Sequence, residues 1–402
     1  MTAPASCTLV AFAEVAWGYF RTRKQFLLSR LAERGWAVHY LEPVAAGRGN
    51  AWQARHEGGV TIHTVPFLKP NTGQPLYNAA IELPPVRAAL ETLAAQAVGR
   101  VLSAAGVGAV DVAFVSNVYA AKALSRASPR LVCYDFNDHP LQFAGVPAWS
   151  RAYLDRALDR ADVVLAVSAH YARELRARGT QPVVLLGNGV EFARFAQPEG
   201  SVPEAIARIA RPRVGYVGKV SHFLDFAVLE HLARCGGFEL VVAGPLPRET
   251  GAEVACLRLA PHAHVVGEVP YEQVPAVLSA LDVALIPFRA GDPYTVGINP
   301  NKLYQYWAAG RPIVASPIAD VSADGAGLSF AETPEAFERA VRAALARPGD
   351  PQAVRARAQA HDWDQLAERL DSLLRAALTA KQTQGEVTAA DMAPFQEDVE
   401  DR

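Results

Sequence analysis

Residues 298–316, Ile298-Asn-Pro-Asn-Lys-Leu-Tyr-Gln-Tyr-Trp-Ala-Ala-Gly-Arg-Pro-Ile-Val-Ala-Ser316, carry a helix, its stop and a strand in one run. Lys302–Ala309 has helical spacing, Gly310 ends it, and Ile313–Ala315 is the following strand. Pro300 suits the first helical turn, and Asn299 suits the N-cap. An apolar strand, Val283–Pro287, precedes the run. Strand, helix and strand in this order make a βαβ unit, which calls for a parallel sheet covered on both faces. The helix start also has chemical meaning. Its free N–H groups and dipole attract a diphosphate, Lys302 adds charge, and Gln305 lies a turn later. Tyr304, Trp307 and Ala308 read as core-facing residues.

The alternation extends outward in both directions. Towards the N-terminus of this half lie strand Val214–Val217, helix Phe226–Ala233, strands Leu240–Ala243 and Val265–Val266, and helix Tyr271–Ala280. Helices Pro334–Leu345 and Asp362–Leu378 follow the quoted run. The first half repeats the scheme with strands Cys7–Phe12, Ala37–Leu41, Val60–Val65, Val110–Val115, Leu131–Asp135, Val163–Val167 and Val183–Leu186. Its helices are Arg23–Arg34, Ile81–Ala105 (one helix or two, given Pro84 and Pro85), Trp149–Asp159 and Ala169–Arg178. The fold class is therefore α/β with two Rossmann-like domains. The expected division is 1–190, a linker 191–212, 213–378, and a disordered acidic tail 379–402. A ligand belongs in the cleft between the domains, at the carboxyl ends of the strands.

Composition agrees with this reading. The chain has 402 residues, 50% hydrophobic and 20% charged, which suits two or three globular domains and excludes collagen-like, coiled-coil and mostly disordered chains. A net charge of −2 excludes a uniformly basic nucleic-acid binder. Residues 1–190 nevertheless carry 19 Lys and Arg against 13 Asp and Glu, and residues 191–402 carry 20 against 28. The basic first half suits an anionic partner, although solvated surface charge is the simpler account. Cys7, Cys133, Cys235 and Cys256 are far apart with no Cys-x-x-Cys, so neither a disulfide framework nor a zinc site is expected. Met1–Phe12 has no basic start and does not read as a secretory signal, and no stretch is apolar enough to span a bilayer. The expected location is the cytoplasm, with peripheral contact at the inner membrane face allowed.

Three further motifs sit at strand ends. In Val214-Gly-Tyr-Val-Gly-Lys219, Gly218 lets backbone approach a ligand and Lys219 offers a compact cation for phosphate. In Asp135-Phe-Asn-Asp-His-Pro140, the carboxylates Asp135 and Asp138 and the imidazole of His139 are candidates for proton transfer or sugar-hydroxyl contacts. Asp and Asn also favour plain turns there. In Val15-Ala-Trp-Gly-Tyr-Phe-Arg-Thr-Arg-Lys-Gln25, Gly18 follows the first strand, and Arg21, Arg23 and Lys24 open a helix. That loop can hold an anionic acceptor or face lipid phosphates.

On these residues the chain resembles the GT-B-fold glycosyltransferases of family 4 and the "group 1" type, with teichuronic-acid-type transferases the nearest subgroup. The stretches that carry the resemblance are Val214–Pro245, Val266-Gly-Glu-Val-Pro-Tyr271, Ala284-Leu-Ile-Pro-Phe288 and Asn299–Ser316. In the first half they are Arg23-Lys-Gln-Phe-Leu and Leu185-Leu-Gly-Asn-Gly-Val190. The resemblance implies two domains facing across a cleft and transfer of a hexose-type sugar from a nucleotide diphosphate sugar. The donor would be a UDP, GDP or TDP sugar. The acceptor would be a glycan, a lipid-linked or a small molecule, and no metal or other cofactor is implied. Carried over by position, Gly218 and Lys219 would meet the diphosphate, and Val269 and Tyr271 the base. Asn299 and Lys302 would meet phosphate or sugar, Gln305 the ribose, and Gly18 and Arg23 the acceptor. Asp138, His139 or Asp135 would serve as base if the reaction inverts. The family usually carries two glutamates where this chain has Gly297 and Gln305. That departure leaves retention, the slightly favoured outcome, and inversion both open. It also keeps a non-catalytic nucleotide-sugar-binding subunit and a sugar-nucleotide epimerase as alternatives.

Overall fold

The computed structural model describes residues 7–18, 21–44, 53–179, 181–318, 320–323 and 327–396. The chain forms two compact units, Met1–Leu186 together with Leu366–Asp401, and Gly187–Gln365.

Among the described residues the first unit holds eight strands: β1 (Thr8–Phe12), β2 (Ala37–Pro43), β3 (Arg55–Glu57), β4 (Val60–Val65), β5 (Val112–Val115), β6 (Leu131–Phe136), β7 (Val163–Ala166) and β8 (Val183–Leu185). Their order is β3-β4-β2-β1-β5-β6-β7-β8. All neighbours are parallel except β3 and β4, an antiparallel hairpin. The second unit holds β9 (Arg213–Val217), β10 (Glu239–Ala243), β11 (Ala263–Gly267), β12 (Val283–Ile286), β13 (Ile313–Ala315) and β14 (Leu328–Phe330). These are all parallel, in the order β11-β10-β9-β12-β13-β14. Strand order therefore reverses between β1 and β5 in one unit and between β9 and β12 in the other. In doubly wound sheets such switch points open a crevice at the strand carboxyl ends.

The strands form because they are short β-branched runs that can be buried on both faces. Val10, Phe12, Val112, Val164, Leu240, Val242, Leu285 and Val314 are each at most 1% exposed. Each unit has its own apolar core.

Several sequence expectations need correction. The range 81–105, expected as one helix or two, holds a single helix, Pro84–Ala104, because Pro84 and Pro85 suit only a first turn; a separate short helix, Pro75–Ala80, precedes it. The segment 379–402 does not start as a tail. Helix Trp363–Gln384 runs on past 378, and residues 389–396 form further turns. Leu378, Ala380 and Met392 are buried, Lys381 Nζ donates to Asp162 at 2.6 Å, and Trp36 Nε1 donates to Asp371 at 2.6 Å. These few buried contacts outweigh the polar composition. Residues 397–402 of that segment, and Met1–Ser6 of the N-terminal stretch, lie outside the described residues. The helix of the quoted run is Asn301–Ala308, with Pro300 rather than Asn299 at the N-cap.

β2 and β4 carry a stacked histidine pair. The rings of His39 and His63 lie 5.4 Å apart at 17°, with Nδ1 and Nε2 3.1 Å apart. Burial, then the neighbouring His39 and His56, pushes the pKa of His63 down from 6.5 to about 4. The folded form therefore refuses a proton that the unfolded chain accepts, and stability falls as pH drops from 6.5 towards about 4. His63→Gln should flatten the fall of the melting temperature across that window; an unchanged slope would assign the acid sensitivity elsewhere.

Candidate active site

The second unit builds its site where β9, β10 and β12 end. Gly218 follows β9 with φ +151°, and Gly244 follows β10 with φ +142°. Their backbones touch: a Cβ on Gly244 would stand 2.0 Å from the Gly218 carbonyl oxygen. Only glycine fits at that position. A Cβ on Gly218 would stand 3.0 Å from Cε of Lys302, so the missing side chain is what lets that lysine pass.

Lys302 lies in the first turn of Asn301–Ala308, and its ammonium sits over the rings of Tyr216 (5.4 Å) and Phe288 (5.2 Å). These residues come from the two sides of the β9/β12 switch point. Among the described residues no carboxylate pairs with Lys302. Burial pushes its pKa down to about 8. Lys219 is exposed nearby in sequence, on a loop whose carbonyl accepts from Tyr216 Oη at 2.8 Å. Ser221, 3% exposed, ends this loop segment, and its hydroxyl has no hydrogen-bond partner among the described residues. A buried hydroxyl left open calls for a partner that none of the described residues supplies.

Two tyrosines that the sequence reading passed over shape this floor. Tyr306 Oη donates to Val217 O (3.0 Å) and accepts from Val217 N (2.9 Å), pinning the end of β9 to the helix. Tyr216 fixes the loop as described. Neither stands out by motif or spacing in the sequence. Asn299 accepts from Asn188 N at 3.1 Å through Oδ1, and its carbonyl accepts from Asn188 Nδ2 at 2.5 Å. Its side chain therefore anchors the Gly187-Asn188-Gly189 turn. Gln305 is half-buried, a turn after Lys302. Val269 is half-buried in the loop after β11, and Tyr271 donates to Glu191 Oε2 at 3.0 Å with Arg194 over its ring at 5.2 Å.

The first unit has a polar cluster at its own switch point. Glu14, just past β1, accepts from Ser116 Oγ (2.6 Å) just past β5, and from Lys24 Nζ (2.6 Å). Arg23 Nε donates to Asp135 Oδ1 at 3.0 Å. The side chains of Arg23, Lys24 and Asp135 are at most 3% exposed, whereas that of Glu14 is 38% exposed. Burial acts to lower the pKa of Lys24, but Glu14, Asp135 and Asp138 outweigh it and hold the ammonium above its ordinary value. Two of the three cations expected on the surface of this loop, Arg23 and Lys24, are thus inside and matched by carboxylates, while Arg21 is exposed. Glu14, the most open member, carries no motif and was missed in the sequence.

Gly18 is exposed, and the residue before it, Trp17, is held through both of its backbone polar groups. Trp17 N donates to Glu42 at 2.8 Å, and Gln25 Nε2 donates to Trp17 O at 2.9 Å. Gln25 of the Arg23-Lys-Gln motif is thereby a loop anchor. Asp138 is half-buried and accepts from Asn137 Nδ2 at 2.9 Å. His139 is buried, with Nδ1 accepting from Leu141 N at 3.3 Å and Nε2 3.4 Å from Glu174.

Two families match the chain. "Glycosyltransferase Family 4" matches residues 26–194, and "Glycosyl transferases group 1" matches residues 211–347. The chain belongs to the GT-B glycosyltransferases of the family 4/group 1 type. A Bacillus subtilis (strain 168) protein that carries the name of a teichuronic acid biosynthesis glycosyltransferase, TuaH, is 24% identical over 175 residues, 42% of this chain. The chain spans only 43% of the length of that curated relative. Among solved structures, sucrose-phosphate synthase from Thermosynechococcus elongatus superposes with a TM-score of 0.70 at 17% identity, over 93% of this chain and 100% of that one. Anabaena HepE with UDP and glucose gives 0.63 at 15% identity, over 92% and 99%. At such identities the likeness is one of fold.

The Arg23–Asp135 pair makes a prediction. Removing one partner of a buried ion pair leaves a bare charge and costs roughly 3–5 kcal/mol. Asp135→Asn should lower the melting temperature sharply, and Arg23→Met/Asp135→Leu should recover much of the loss. A stable Asp135→Asn with lost turnover would instead make Asp135 a reacting group.

Proposed function

We propose that the protein transfers a sugar from a nucleotide diphosphate sugar to a glycan or lipid-linked acceptor, with the donor on the second unit. The observation that carries this is Lys302: a half-buried ammonium at the β9/β12 switch point, beside a helix start, with no carboxylate partner among the described residues. Such a cation is suited to a ligand's negative charge, and the departing diphosphate develops that charge in the transition state. We assign Lys302, Lys219, the Gly218 backbone and the Ser221 hydroxyl to the diphosphate, Gln305 to the ribose, and the Val269–Tyr271 loop to the base. Asn299 we assign to holding the loop that precedes Lys302. The donor nucleotide is UDP in this reading, because solved proteins of the same fold hold UDP or UDP-glucose. The cations take over the role that a metal plays in other transferases, so transfer should persist in chelator.

The acceptor side of the reading rests on the first unit: the Gly18 loop, Glu14, Asp138 and His139. Asp135 and Arg23 support it from below. Asp135 is held by Arg23, and a backbone N–H already meets Nδ1 of His139. That arrangement favours retention, which needs no dedicated base on the protein.

Lipid-linked acceptors are favoured by Leu76 (89% exposed), Leu83 (58%) and Phe143 (45%) on the same basic half of the chain. No helix among the described residues is long and apolar enough to cross a membrane. Contact would be peripheral, at a membrane surface in the cytoplasm. Sedimentation with anionic vesicles at low salt should carry the protein down, and Leu76→Asp should weaken it. Equal recovery with neutral vesicles would remove the charge argument.

Calorimetry with UDP, GDP and TDP tests the donor assignment. UDP should bind, with proton uptake growing near pH 8, because an anionic ligand raises a lysine pKa that burial holds at about 8. Lys302→Ala should abolish the uptake and weaken binding by about tenfold or more. Binding without proton uptake, or untouched in Lys302→Ala, would place the diphosphate elsewhere. The anomeric configuration of the product, read by NMR, decides retention.

A further inference from the structure

Helix Phe226–Cys235 leaves the carboxyl end of β9 and runs back to the opposite edge of its sheet, where β10 starts at Glu239. Its last two turns carry His231 and Cys235, four residues apart and therefore on one face. Glu338, on helix Pro334–Ala346, comes against them. Nε2 of His231 lies 2.8 Å from Oε2 of Glu338, and one ligand atom from each of the three residues lies within 4.8 Å of the other two. All three residues are half-buried, so the cluster is open to ions from solvent.

The support around the cluster is built in. Leu229, Leu232 and Ala233 on one helix and Phe337 and Val341 on the other are buried in one core, which fixes both helices. Arg342 Nε donates to the other Glu338 oxygen at 2.9 Å, and its Nη2 reaches the carbonyls of Cys235 and Gly236 at 3.4 and 3.2 Å. The guanidinium thus holds Oε1 of Glu338 and leaves Oε2 turned towards His231. An outer partner that orients a ligating carboxylate is a usual feature of metal sites. The Cys235 thiol bonds back to the His231 carbonyl at 3.1 Å, a contact that a thiol can give up readily.

We propose that His231, Cys235 and Glu338 bind a borderline-soft divalent cation, best zinc, which ties the two helices together. The donor set decides the metal class. Imidazole nitrogen, thiolate sulfur and one carboxylate oxygen suit zinc or cobalt, while calcium and magnesium want oxygen throughout. Three protein ligands leave a fourth position for water. On binding, the thiol proton leaves to solvent, the imidazole stays neutral, and the ion takes the place of the His231–Glu338 contact. The site sits at the strand edge opposite Gly218 and Lys302. It would act on the stability of the second unit and not on sugar transfer.

Cobalt(II) as a spectroscopic probe tests this on the full, metal-stripped chain. One equivalent of Co²⁺ should give a thiolate-to-cobalt charge-transfer band in the near ultraviolet. Cys235→Ser should lose the band. His231→Gln and Glu338→Gln should each weaken Co²⁺ binding by about tenfold or more. Cys256→Ser and His264→Ala, which alter other exposed or half-exposed ligand types, should leave it unchanged. Zn²⁺ should displace Co²⁺ and, at about a hundredfold excess over its dissociation constant, raise the melting temperature by roughly 5 °C. All five positions are half-buried or exposed, and circular dichroism of the metal-free variants checks that each is folded. No band at stoichiometric cobalt, or a band that survives Cys235→Ser in the folded variant, would overturn the proposal.

Discussion

The second unit depends on one close approach. Gly218 and Gly244 end adjacent strands with their backbones in contact, and the space left by the missing Gly218 side chain is crossed by Lys302. Tyr306 locks the same strand end to the helix that carries the lysine. A cation is thereby held over Tyr216 and Phe288 at the point where strand order reverses. Burial destabilises its charged form, and no carboxylate among the described residues offsets that cost. An ammonium in this condition gains more from a bound diphosphate than a solvated surface lysine would.

The first unit resolves the same topology with the opposite electrostatics. Its switch point also lies beside buried cations, but each has a carboxylate: Asp135 for Arg23 and Glu14 for Lys24. Charge there is already balanced. What it presents outward is the open side of Glu14 and the exposed Gly18, both suited to hydroxyls more than to phosphate. The division of labour proposed for the two units follows from this difference: one lacks an anion, the other does not.

The fold was legible because buried parallel strands are continuous apolar runs, and such runs punctuated by glycine and proline stand out in a sequence. The Asn299–Ser316 run gave helix, stop and strand with boundaries one residue out. The edge hairpin β3–β4 is only half legible, since Arg55–Glu57 is short and polar and shows no apolar run. The acidic end of the chain misled, because composition hides a few well-placed buried side chains such as Ala380 and Met392. At the site, Lys302 and Gly218 could be found from spacing, but Glu14 and Tyr306 could not. Their importance comes from partners about a hundred residues away, Ser116 and Val217. The same holds for Cys235: its spacing from His231 is visible, and Glu338 is brought in only by packing.

Amide hydrogen exchange on the full chain, with and without saturating UDP, tests the central assignment most directly. Slowed exchange is expected in the loop 218–221 and at the first amides of Asn301–Ala308, with smaller changes around 267–271. Protection confined to the first unit, or none in either segment despite saturation, would contradict a diphosphate held at the β9/β12 switch point.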